Sequence, residues 1–86
     1  MSVKDSLEKF LVAEIAAGLG KKAVDPDEDL LQQGIIDSLG LMKLIDFMER
    51  SFGIRVSDED IVPENFQSVY CMTRLVEQQL AGSSAA

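Results

Sequence analysis

Eighty-six residues, 47% of them apolar, suffice for one small domain with one core and exclude a chain too polar to fold. A formal charge of −7 disfavours nucleic acid and anionic membranes and favours partners with basic surfaces. With no histidine and one cysteine, a Ser-His-Asp hydrolase, a zinc site built on imidazole and an internal disulfide are all excluded.

The chain opens on a predicted helix. Ser2 and Asp5 have capping-box spacing, with Asp in place of the usual Glu. Leu7, Phe10, Leu11 and Ile15 follow on one stripe that a core would cover, and Gly18 and Gly20 mark the expected end. The first residues lack the apolar stretch of a secretory signal, and no apolar run is long enough to span a bilayer, so a cytoplasmic protein is expected.

Residues 19 to about 37 read as a long connection. Asp25-Pro26-Asp27-Glu28-Asp29 is a turn-like acidic cluster, expected to be a solvated surface. A loop this long in so small a domain must be anchored, and Leu30, Leu31, Ile35 and Ile36 are the candidate anchors.

The second helix is predicted from Ser38 to about Ser51. Leu41, Leu44, Ile45, Met48 and Phe52 share the face expected to meet the core, with Phe47 at its flank. The opposite arc carries Lys43, Asp46, Glu49 and Arg50, and also Leu39 and Met42, which a solvated face does not require. Two apolar residues beside the start of a helix read as a small docking patch. Gly53 ends the helix, and Ile54 and Val56 return to the core. Ser57 to Asp60 repeats the Ser-x-x-acid pattern and predicts a short helix through Val62, followed by Pro63 and a buried Phe66. Ser68 can cap a last helix with Val69, Met72, Val76 and Leu80 on its inner face. Cys71 lies on that helix without an electropositive neighbour and reads as a small, partly buried side chain.

Three substantial helices and one short one, with no strand-like alternation, predict an all-α protein: an irregular four-helix bundle with a long loop between helices 1 and 2. The expected division is a domain over residues 1–81 and a flexible tail over residues 82–86.

The run Gly34-Ile35-Ile36-Asp37-Ser38-Leu39-Gly40 is the most informative stretch. It sets one serine where a polar loop becomes an amphipathic helix. Serine is among the best helix caps, so capping alone would explain it, but Asp37 can cap equally well and leave Ser38 in the first turn. Either way the hydroxyl lies at the positive end of a helix, which suits an attached phosphate. No lysine follows Ser38 at the Ser-x-x-Lys spacing of a serine nucleophile, so the chain is not expected to be an enzyme.

Asp37-Ser38-Leu39 at this point resembles the modification motif of the acyl and peptidyl carrier proteins. The resemblance runs from about Lys4 to Leu80 and takes in the first helix, the loop with Asp25-Pro26 and Leu30, and Phe52-Gly53-Ile54. It implies that a phosphopantetheinyl transferase attaches 4′-phosphopantetheine to Ser38, with Asp37 assisting near the metal. The arm then holds acyl or aminoacyl groups as thioesters for partner enzymes, which the family meets through positions matching Leu39, Met42, Lys43 and Asp46. Carriers of the fatty-acid-synthase type have a strongly acidic second helix, whereas here Lys43 and Arg50 balance Asp46 and Glu49. That departure, with Pro63-Glu64-Asn65-Phe66, looks more like stand-alone monomeric carriers of specialised pathways, served by an AMP-forming ligase and by acyl-transferring or condensing enzymes. An unmodified helical adaptor using the Leu39 and Met42 face is the alternative.

Overall fold

A computed structural model describes residues 2–15 and 24–85, the last four as backbone. Its helices are α1 (Val3–Phe10), α2 (Ser38–Phe52), α3 (Pro63–Phe66) and α4 (Val69–Ala85), and no strand occurs among the described residues. The all-α expectation is met.

Ser2 caps α1, its hydroxyl accepting the Asp5 N–H at 3.1 Å. Leu7 and Leu11 are fully buried, with Phe10 and Ile15 partly covered at the flanks of the stripe. After Phe10 the helix widens into a π-helical turn over Leu11–Ile15, which periodicity does not reveal. Gly18 and Gly20, the expected end of this helix, lie outside the described residues.

α1, α2 and α3 each pack against α4. Leu44 and Met48 from α2, Phe66 from α3, and Val69, Met72 and Val76 from α4 fill the centre with Leu7 and Leu11. Leu41, Ile45 and Phe52 are only partly buried around it. Phe47 stacks on Phe10 with ring centroids 4.3 Å apart and meets the edge of Phe52 at 5.9 Å, so an aromatic cluster joins α1 to α2.

The long connection is anchored as its aliphatic pattern requires. Val24, Leu30, Ile35 and Ile36 are buried, and Leu31 is half-buried. Backbone bonds tie it to the far side of the bundle: Leu30 N–H donates to the Gln67 carbonyl, and Tyr70 N–H to the Pro26 carbonyl at 3.3 Å. Its carboxylates do more than solvate the surface. Glu28 accepts the Asp25 N–H at 2.8 Å, Asp25 accepts the Asp27 N–H at 3.1 Å, and Asp29 accepts the Gln32 N–H at 2.9 Å. The loop therefore satisfies its own backbone donors with acidic side chains.

Two boundaries differ from expectation. The helix predicted from Ser57 through Val62 is only a 3₁₀ turn over Asp58–Asp60, and the short α-helix is α3, beginning at Pro63. Proline pushes the preceding residue into extended backbone, and Val62 accordingly has φ −129° and ψ 153°. The same ring suits the first position of a helix, so Pro63 starts α3. At the other end α4 continues through Ala85, so the expected boundary at residue 81 falls inside a helix. Ser68 caps that helix, its hydroxyl accepting the Cys71 N–H at 3.3 Å.

Candidate functional site

The start of α2 is fixed from two directions. Upstream, Gly34 turns the chain with φ +75°, and the N–H groups of Ile35 and Ile36 both donate to the Leu30 carbonyl, at 3.0 and 3.1 Å. Because Leu30, Ile35 and Ile36 are buried, the chain reaches Asp37 along an immobilised path. Downstream, the Asp37 carboxylate accepts the Gly40 N–H at 2.7 Å and its carbonyl accepts the Leu41 N–H at 2.8 Å. Asp37 is thus the cap, and Ser38 occupies the first helical position with its side chain exposed.

This arrangement settles the choice left open by the sequence. A capping serine would spend its hydroxyl oxygen on a backbone N–H. Asp37 takes that task, and Ser38 keeps an exposed oxygen at the positive end of a 15-residue helix. The first amides of a helix have no intrahelical acceptor, so a phosphate esterified to Ser38 would meet favourable dipoles. The residues present fit such a group.

The neighbouring face is as the arc predicts, with one exception. Leu39 and Met42 are 66% and 67% exposed, among the most exposed large apolar side chains described. Lys43 is exposed beside them, and Asp46 pairs with Arg50 at 3.2 Å on the same surface. Glu49 is the exception: it turns to the chain beyond the helix, where its carboxylate accepts the Val56 N–H at 3.0 Å. An open groove of about 270 Å³ adjoins the serine, bounded by Asp37, Leu39 and Lys43 on one side and Glu14 and Ile15 on the other.

Other potential chemistry is absorbed structurally. Cys71 is half-buried, and its sulfur accepts the Ser68 hydroxyl at 3.3 Å as part of the α4 cap. Ser6 and Lys9 have Ser-x-x-Lys spacing on α1, but no hydrogen bond joins them among the described residues. Sequence reasoning missed Gly40, which is buried at the helix start against Ile15 and Ile36. Glycine in the third position of a predicted helix was the available signal, since it is a poor helix former.

A small helical scaffold thus presents an exposed serine at a helix start, beside a groove whose charged groups are Asp37, Lys43 and Glu14. The chain belongs to the phosphopantetheine attachment site family, which matches residues 9–76. It is 37% identical over 60 residues to an acyl carrier protein of Solidesulfovibrio magneticus, covering 70% of this chain and 74% of that one. It is 29% identical to a probable acyl carrier protein PigG of a Serratia species, covering 84% and 86% of the two chains. Aminoacyl carrier protein 2 of Bradyrhizobium diazoefficiens is 34% identical, with 71% and 67% covered. A chain from a crystal structure of an FAD-dependent dehydrogenase superimposes with a TM-score of 0.73 at 27% identity, covering 81% of this chain and 97% of that one.

This protein is therefore a carrier protein, and 4′-phosphopantetheine is the prosthetic group its family implies. Carriers of this kind are in general not catalysts; the chemistry belongs to the arm and to the biosynthetic enzymes that use it. The unmodified adaptor has no support from these relationships. Among the described residues no helix is long and apolar enough to cross a membrane.

Proposed function

We propose that Ser38 is the residue esterified with 4′-phosphopantetheine and that the arm carries an acyl or aminoacyl group as a thioester. The observation that carries this reading is the division of labour at the helix start: Asp37 caps, and the Ser38 hydroxyl stays exposed. In the modification a bond forms between the Ser38 oxygen and the pantetheine-bearing phosphorus of coenzyme A. The phosphoanhydride bond to adenosine 3′,5′-bisphosphate breaks, that nucleotide leaves, and the serine proton passes to a base of the transferase or to solvent. Asp37, next to the reacting oxygen, is positioned to meet the transferase and its metal.

Leu39 and Met42 form the apolar centre of the partner surface in this proposal, with Lys43 and Asp46 as polar neighbours. The partners are a phosphopantetheinyl transferase, an AMP-forming ligase that loads the arm, and acyl-transferring or condensing enzymes that unload it. A flavin-dependent dehydrogenase belongs beside them, since a similar chain occurs in a structure described by that activity. The protein itself catalyses none of these steps. It works in the cytoplasm as a monomer. Tethering raises the effective concentration of the cargo at each docked enzyme.

Incubation with coenzyme A, magnesium and a broad-specificity phosphopantetheinyl transferase tests the attachment. The expected result is a mass gain of one phosphopantetheine, abolished in Ser38→Ala. Modification of Ser38→Ala to the same extent would place the arm elsewhere.

A further inference from the structure

We infer that Gly40 is a positioning residue for the modification of Ser38, acting through the Asp37 cap; this rests on the assignment of Ser38 as the attachment residue. Gly40 is buried at the point where the end of the loop, the π-helical turn and the start of α2 converge. A β-carbon there would stand 3.3 Å from Asp37 Oδ1, 3.7 Å from Ile15 Cδ1 and 3.8 Å from Ile36 Cγ2. The two aliphatic contacts are ordinary packing distances. The approach to Asp37 is not, because that same oxygen must stay 2.7 Å from the Gly40 N–H to cap the helix.

A side chain at position 40 is therefore accommodated by moving the carboxylate, the softest of the three neighbours. A shift of a few tenths of an ångström lengthens the cap bond and loosens the peptide that carries Ser38. The global cost is small, because a loss at the cap is offset by the better helix propensity of almost any residue other than glycine. The local cost falls on the serine. Its oxygen must reach a phosphorus held by another protein, and misplacement of a nucleophile is felt in the turnover step. Glycine at this position thus gives up helix propensity and secures the presentation of the modified residue.

The test compares wild type with Gly40→Ala as substrates of a broad-specificity transferase with coenzyme A, following the mass gain. The turnover rate should fall about tenfold with KM changed by less than about twofold. The melting temperature should move by less than about 5 °C, and the amide proton at position 40 should exchange at least about tenfold faster than in wild type. An unchanged turnover rate overturns the inference. A rate lost in step with a collapse of the melting temperature also overturns it, since glycine would then serve stability alone. Failure of the wild type to gain mass would defeat the assignment of Ser38, a result distinct from equal modification of both proteins.

Discussion

The carboxylate of Asp37 accepts the backbone N–H of Gly40 at 2.7 Å, and this one bond relieves the serine between them of capping. The aspartate holds the helix, and Ser38 is exposed in its first turn. Capping thus falls to Asp37 and leaves Ser38 for the proposed attachment, a division between adjacent residues.

The division makes Asp37 a structural residue in its own right. Asp37→Ala should destabilise the fold by about 1 kcal/mol, whereas Asp37→Asn, which can still cap, should stay within about 0.5 kcal/mol of wild type. Urea denaturation of both variants checks this. Equal losses would mean that the negative charge, and not the hydrogen bond, holds the start of α2.

Burial ranks the apolar residues of α2. Leu44 is fully buried and Phe52 only partly so. Leu44→Ala should cost about 2–5 kcal/mol. Phe52→Ala should cost less than Leu44→Ala, because its partly open site leaves no enclosed cavity behind. Thermal melts that reverse this order would contradict the packing described for the helix.

The exposed patch makes the opposite prediction. Met42 is 67% exposed, so Met42→Glu should change stability by no more than about 0.5 kcal/mol. It should nevertheless weaken loading by the cognate ligase, by lowering kcat/KM. Loading at the wild-type rate by each cognate enzyme would remove Met42 from the docking surface.

The loop before the serine should be rigid for a stated reason. Leu30 is fully buried, and its carbonyl accepts the N–H groups of Ile35 and Ile36. Leu30→Ala should destabilise the protein by about 2–5 kcal/mol and speed hydrogen exchange at both amides. Unchanged protection at positions 35 and 36 would show that the loop is held from elsewhere.

Much of this architecture was legible in the residues because it is written in periodicity. Leu7 and Leu11, Leu44 and Met48, and Val69, Met72 and Val76 all recur at helical spacing and all are buried. Leu30, Ile35 and Ile36 were legible as anchors because aliphatic side chains in an acidic loop need cover. What pattern does not encode is geometry between segments. The π-helical turn at Leu11–Ile15 leaves the apolar stripe almost unchanged, so periodicity reads straight through it. Glu49 looked solvated because its partner is the backbone N–H of Val56, seven residues on. The helix that the capping pattern at Ser57 suggests cannot run through Val62, because Pro63 holds Val62 extended. At the site, the serine was legible. The choice of Asp37 as cap was not, since both residues cap well and only the Gly40 contact decides between them.

The central claim is that the Ser38 oxygen carries the arm, and fragmentation mass spectrometry of the protein purified from its own host measures it most directly. The account predicts a phosphopantetheine adduct on the fragment containing Ser38, localised to that serine. Recovery of that fragment wholly unmodified, from cells with an active phosphopantetheinyl transferase, would contradict it.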